Sequence, residues 1–179
     1  MTQLALWGES LAAAKVRVAE GLSDGIVCPC CHQYAREYRR KLNSGMALAL
    51  IGLVRLWLTA QDQAETYLGP YHGAWIHLTQ INEWVRRGQS IRGSSNPCGD
   101  FAKLRYWGLI EEEPNEDPGK RKSGSWRPSA TGTLFVKGLI TVHGYARVYN
   151  GECAGLEGDP VSIRDALDDQ FDYAELMAQ

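Results

Sequence analysis

The sequence predicts a mixed α+β fold, and three observations carry that expectation. An apolar stretch from Met46 to Val54 lies near the chain's middle and ends at Arg55, which is the pattern of a helix buried on most sides. Short helical and short strand patterns then alternate through residues 75–138. Finally, a polar loop from Pro114 to Ser125, with two Gly and two Pro, separates two strand-like runs and marks a hairpin with a long tip.

Taken in order, Ser10 to Leu22 mixes apolar and charged residues at helical spacing and is stopped by Gly21, Asp24 and Gly25. A cysteine cluster and a basic stretch, Tyr34 to Lys41, follow. Ser44 is the expected N-cap of the helix Met46 to Ala60. A β-like run at Trp75 to Leu78 precedes a second helix capped by Thr79, in which Ile81, Trp84 and Val85 share a face and Gly88 supplies the stop. A third helix is expected after the Gly93 to Asn96 loop, with Pro97 in its first turn and Phe101, Leu104 and Trp107 on one side. Leu109 to Glu113 and Trp126 to Pro128 read as the hairpin strands. Thr131 to Gly138 reads as a short helix, and Leu139 to Val142 and Ala146 to Tyr149 as two strands. Two short helices are expected around Ile163, Leu167, Phe171, Tyr173 and Leu176. The organisation is thus an N-terminal helix and cysteine knuckle over 1–43, a central domain over 44–138, and a C-terminal α/β extension over 139–179.

Composition narrows the function. With 179 residues, 44% hydrophobic and 22% charged, and with six Trp, eight Tyr and three Phe, the chain has the apolar area of a folded domain rather than a solvated polymer. The nine residues from Met46 to Val54 fall short of the roughly 20 needed to cross a bilayer, so no membrane partner is expected. The start of the chain lacks a basic segment and a long apolar run, which places the expected location in the cytoplasm with reduced cysteines. Net charge is -2 but unevenly spread. Residues 1–149 hold 18 Lys and Arg against 13 Asp and Glu (+5), whereas residues 150–179 hold one Arg against eight acids (-7). A mildly basic body suits an anionic polymer. The acidic tail suits either docking on that body or mimicry of phosphate charge toward a partner protein.

The order helix, strand, helix, helix, strand, loop, strand, together with Phe101-Ala102-Lys103-Leu104-Arg105-Tyr106-Trp107-Gly108-Leu109-Ile110-Glu111, the polar tip, and Trp126-Arg127-Pro128-Ser129-Ala130-Thr131-Gly132-Thr133, resembles winged helix-turn-helix transcription regulators over residues 44–138. The remainder, with Tyr145 to Asn150 and the Ile163 to Tyr173 tail, looks like uncharacterised phage and prophage proteins. The winged-helix resemblance implies duplex DNA binding, with the third helix in the major groove and the wing along the backbone. Ser94, Ser95 and Asn96 would then start that helix, with Lys103 and Arg105 further along it and Arg86, Arg87 and Arg92 preceding it. Lys120, Arg121 and Lys122 would reach phosphates from the wing tip. The expectation is a phage-type regulator of transcription or replication. The alternative is an inhibitor that binds a host protein through the winged surface or the acidic tail.

Cys28-x-x-Cys31 is the spacing that places two thiolates on one zinc ion, with Pro29 shaping the turn. Half a site is present. His32, Cys98, His143 or Cys153 would have to be brought in by the fold, and the other reading is a reduced, partly buried cysteine cluster. No catalytic residues are expected. The chain has no His-Glu-x-x-His, no phosphate-binding loop with Lys and no Gly-x-Ser-x-Gly elbow, and Cys28 with His32 lacks an orienting third group. His72 and His77 read as ordinary hydrogen-bonded imidazoles. The amphipathic segment Leu11 to Leu22 is of the kind that builds homodimers.

Overall fold

The computed structural model describes residues 10–67, 74–88, 98–119 and 122–178. Its fold is α+β, with three small antiparallel sheets among the described residues. The elements are α1 (Leu11–Gly21), β1 (Ile26–Val27), β2 (Tyr34–Ala35), β3 (Tyr38–Lys41), α2 (Ser44–Tyr67), β4 (Ile76–His77) and α3 (Leu78–Gly88). A 3-10 helix (Phe101–Trp107) follows, then β5 (Ile110–Glu112), β6 (Ser125–Pro128), α4 (Ala130–Val136), β7 (Val142–Tyr149), β8 (Glu152–Val161), α5 (Ile163–Leu167), a 3-10 turn (Asp168–Gln170) and α6 (Tyr173–Ala178). The sheets have the orders β1-β2, β3-β7-β8 and β4-β6-β5.

The chain divides into two compact units, Met1–Arg40 with Arg147–Gly155, and Lys41–Ala146 with Leu156–Gln179. In the larger unit the core is α2, whose residues Met46 to Val54 are all buried. Helices α3, α4 and α5, the 3-10 helix and β6 all pack against it. By length and composition Ser44–Asp62 is apolar enough to span a membrane, yet half of it is buried inside the protein, which is the environment of a core helix. Gly52 permits the α2–α3 contact, because a Cβ there would stand 2.5 Å from the Trp84 ring.

The caps of these helices differ from expectation by one or two residues. Asn43, not Ser44, caps α2, since its Oδ1 accepts the Met46 N–H at 3.0 Å and its carbonyl accepts from Ala47. His77, not Thr79, caps α3. Its Nδ1 accepts the Thr79 N–H at 3.3 Å, while Gln80 Oε1 accepts the His77 N–H at 3.1 Å, a reciprocal capping box with imidazole in place of the usual hydroxyl.

The described part of the expected third helix is a 3-10 helix rather than an α-helix. Phe101, Leu104 and Trp107 are spaced by three, so at 3.0 residues per turn they stack on one line, and all three are buried. Phe101 meets Trp126 edge to face at 5.7 Å, joining this helix to β6. Gly108, at φ 66, ends it. Strand β6 lies between its neighbours, with Trp126 opposite Ile76 on β4 and opposite Glu112 on β5.

Beyond α4, the two strands expected at 139–142 and 146–149 are one, β7, which begins only at Val142. Asn150 (φ 50) and Gly151 (φ 80) then turn the chain into β8, a strand absent from the sequence expectation. The acidic C-terminal segment is folded rather than extended: Ile163, Leu167 and Leu176 are fully buried, Tyr173 Oη donates to the Val136 carbonyl at 2.7 Å, and Arg55 Nη1 donates to the Met177 carbonyl at 3.1 Å.

In the smaller unit, Ser10 Oγ caps α1 by accepting from Ala13 N. Strands β1 and β2 pair through Ile26 with Ala35 and Val27 with Tyr34. Arg147 Nη1 meets Glu37 Oε2 at 3.3 Å.

Candidate nucleic-acid interface

The residues expected to meet DNA divide into three groups. Arg92, Ser94, Ser95 and Asn96, with the tip residues Lys120 and Arg121, lie outside the described residues, as does His72. Arg86, Arg87, Arg105 and Lys122 are exposed. Lys103 is half-buried, and its ammonium is in contact with the carboxylate of Asp100 at the N-cap of the 3-10 helix, a pairing at i, i+3 that the eclipsed 3-10 geometry favours. Arg87 also has a carboxylate neighbour, Glu83 at 3.4 Å one turn back on α3, but both side chains are well exposed, so this pair is weak and yields easily to another anion. Arg105 lies over the Tyr106 ring at 5.2 Å.

The C-terminus of α3 is linked electrostatically to the start of the 3-10 segment. The buried thiol of Cys98 is pushed up to about 11 by burial, and the Arg86 guanidinium acts in the opposite direction by favouring the thiolate. Arg86 at the end of α3 is thus within electrostatic reach of the Cys98 thiol.

The hairpin carries a feature missing from the sequence expectation. Five of the seven residues 111–117 are acidic, and Glu113, Asn115, Glu116 and Asp117 line a cleft of about 470 Å³ together with Trp75. Asn115 Oδ1 accepts the Asp117 N–H and Asp117 Oδ1 accepts the Gly119 N–H, which folds the acidic segment into successive Asx turns. Arg127 bonds Glu111 Oε2 through both Nε (2.8 Å) and Nη2 (2.6 Å) and stacks on Trp75 at 4.6 Å. The run Glu111-Glu112-Glu113-Pro114-Asn115-Glu116-Asp117 was the signal in the sequence, masked by the three basic residues of opposite charge that follow it.

For a metal, Cys28 and Cys31 lie in the turn between β1 and β2, where the Cys28 N–H donates to Gln33 O (2.8 Å) and the His32 N–H to Cys28 O (2.9 Å). Among the described residues no three His, Cys, Asp or Glu side chains converge. The other candidate ligands have local roles: Cys98 is buried, His143 Nδ1 is 2.9 Å from Gly158 O, and Cys153 Sγ is 3.5 Å from Gly155 O.

No protein-family model, no curated protein and no solved structure matches this chain.

Proposed function

We propose that the larger unit is a winged-helix module that binds duplex DNA without catalysing a reaction, in the manner of a phage regulator of transcription or replication. The observation that carries this reading is the sheet order β4-β6-β5, with α2, α3 and the 3-10 helix preceding the β5–β6 hairpin. A winged helix threads its chain in the same way, with its first strand pairing with the last and the hairpin projecting as a wing. The exposed cations that would meet phosphates are Arg86, Arg87, Arg105 and Lys122. Arg92, Lys120 and Arg121 would extend this set, and Ser94, Ser95 and Asn96 would supply the polar contacts.

Fluorescence anisotropy of a labelled random-sequence duplex, measured over a salt series, tests the proposal. Binding should weaken linearly in log Kd against log salt. Joint replacement of Arg86, Arg87 and Arg105 by Ala should reduce the slope by about 0.9 for each phosphate that is no longer neutralised. Absence of binding at low salt removes the DNA reading.

A second reading has its own observation in the acidic cleft beside Trp75, which suits a basic segment of a partner protein and repels phosphate. Replacing Glu113 and Glu116 by Gln separates the two readings. DNA affinity should stay level or rise, whereas a partner held by that cleft should dissociate.

A further inference from the structure

We propose that Cys28 and Cys31 are half of a zinc site and that the same two thiolates of a second copy of this chain complete it, making the ion the bridge of a homodimer. Three observations inside the smaller unit converge on this.

The first is the turn itself. Two backbone hydrogen bonds, His32 N–H to Cys28 O and Cys28 N–H to Gln33 O, close it around the Cys28-Pro29-Cys30-Cys31 sequence, and His32 leaves it at φ 56. A non-glycine residue in the left-handed region is strained, so the sharp exit after Cys31 is held by its surroundings. The consequence is selective: Cys28 and Cys31 both line one cleft of about 530 Å³, whereas Cys30 does not.

The second is the electrostatics of that cleft. Lys15 and Arg36 line it, and among the described residues no Asp or Glu does. These two cationic side chains offset the two negative charges that a zinc ion retains when four thiolates bind it. In assembling the site each of the four thiols loses its proton to solvent, and the ion exchanges water for sulfur with no change of oxidation state.

The third is incompleteness together with an apolar rim. Zinc in a structural site takes four ligands, and among the described residues no third His, Cys, Asp or Glu joins this pair. Around the same cleft Leu11, Tyr34 and Tyr38 are 63%, 60% and 61% exposed, with Val27 next to Cys28 at 55%. Large apolar side chains gathered beside a two-ligand half-site fit an isologous interface, in which a two-fold axis through the ion supplies the missing pair and covers the rim.

The experiment uses the full chain, reduced and stripped of metal, titrated with zinc while mass is followed by light scattering and metal content by atomic emission. One zinc per two chains is expected, with a monomer-to-dimer step that EDTA reverses. Cobalt in place of zinc should show sulfur-to-metal charge-transfer absorption of four-thiolate intensity. Cys31→Ser should abolish both zinc uptake and the dimer, and Cys30→Ser should preserve both, with far-UV circular dichroism checking the fold of each. Should Cys31→Ser unfold, the cobalt stoichiometry of the unaltered chain decides. One zinc per monomer, a dimer that survives EDTA, or a reduced chain that takes up no zinc each overturns the proposal.

Discussion

Gly132 sits so close to Leu109 that a Cβ built on it would stand 2.0 Å from the Leu109 carbonyl oxygen. The same carbonyl accepts the Ser129 N–H at 3.1 Å, and Ser129 Oγ accepts the Gly132 N–H at 2.9 Å while donating to Gly108 O at 2.6 Å. The first turn of α4 is thereby pinned to the chain that enters β5. Because the obstructing atom is backbone, no side-chain rotation relieves the clash. Gly132→Ala should therefore destabilise by about 2 to 3 kcal/mol, read as a lower urea midpoint at unchanged slope. Gly108→Ala, where φ is 66 and a Cβ built there would meet nothing within 4 Å, should cost only about 1 kcal/mol of backbone strain. Equal losses at the two positions would remove the close-approach explanation.

Trp107 ties the 3-10 helix to β7, its Nε1–H donating to the His143 carbonyl at 2.6 Å while its ring is buried. Trp107→Phe keeps an aromatic ring but loses this bond and part of the packing. A loss of about 2 kcal/mol is expected in chemical denaturation, and a loss within error of zero would mean that the bond is replaced by water at no cost.

The central helix was legible in the sequence because burial on all sides leaves an unbroken apolar run, and Met46 to Val54 is buried throughout. The three-residue spacing of Phe101, Leu104 and Trp107 was legible too, but it fits a 3-10 helix at 3.0 residues per turn better than an α-helix at 3.6. Strand β8 was obscured by Gly155, Gly158 and Pro160, residues that weaken any strand pattern, although Asn150-Gly151 ahead of them is the strongest short hairpin signal in the chain. The candidate interface was legible only as a set of cations. That Lys103 is engaged by Asp100, and that the hairpin's acids gather beside Trp75, depends on turns and side-chain directions that residue spacing alone does not specify.

Asp165 and Ser162 form a capping box at the start of α5, the carboxylate accepting from Ser162 Oγ (2.6 Å) and from Ser162 N (2.8 Å). The hydroxyl bond first, and then the backbone bond, holds the Asp165 carboxyl below its ordinary value of 3.8. A depressed value in the folded state means that the unfolded chain binds the proton more readily. The contribution is therefore present in full above 3.8 and lost as pH falls through the lower folded value. Asp165→Asn should show a shallower acid limb than the parent chain, measured as denaturation midpoint against pH. Parallel limbs would mean that the box does not couple to folding.

Cys98 supplies the opposite sign. Burial pushes its thiol from an ordinary 9.0 up to about 11 in the folded protein, with the Arg86 cation holding it below where burial alone would put it. Between those two values the unfolded chain gives up the thiol proton while the folded chain keeps it, so the stabilising contribution is intact below 9.0 and declines as pH rises toward 11. Cys98→Ala should be less stable at neutral pH through the small cavity it leaves, yet should lose less with rising pH across that window than the parent does. Arg86→Ala should carry the decline to higher pH, because the cation that favours the thiolate is gone. If the parent and Cys98→Ala lost stability in parallel from 9.0 to 11, the thiol would be titrating alike in the folded and unfolded chains, and burial would not be what sets its folded value.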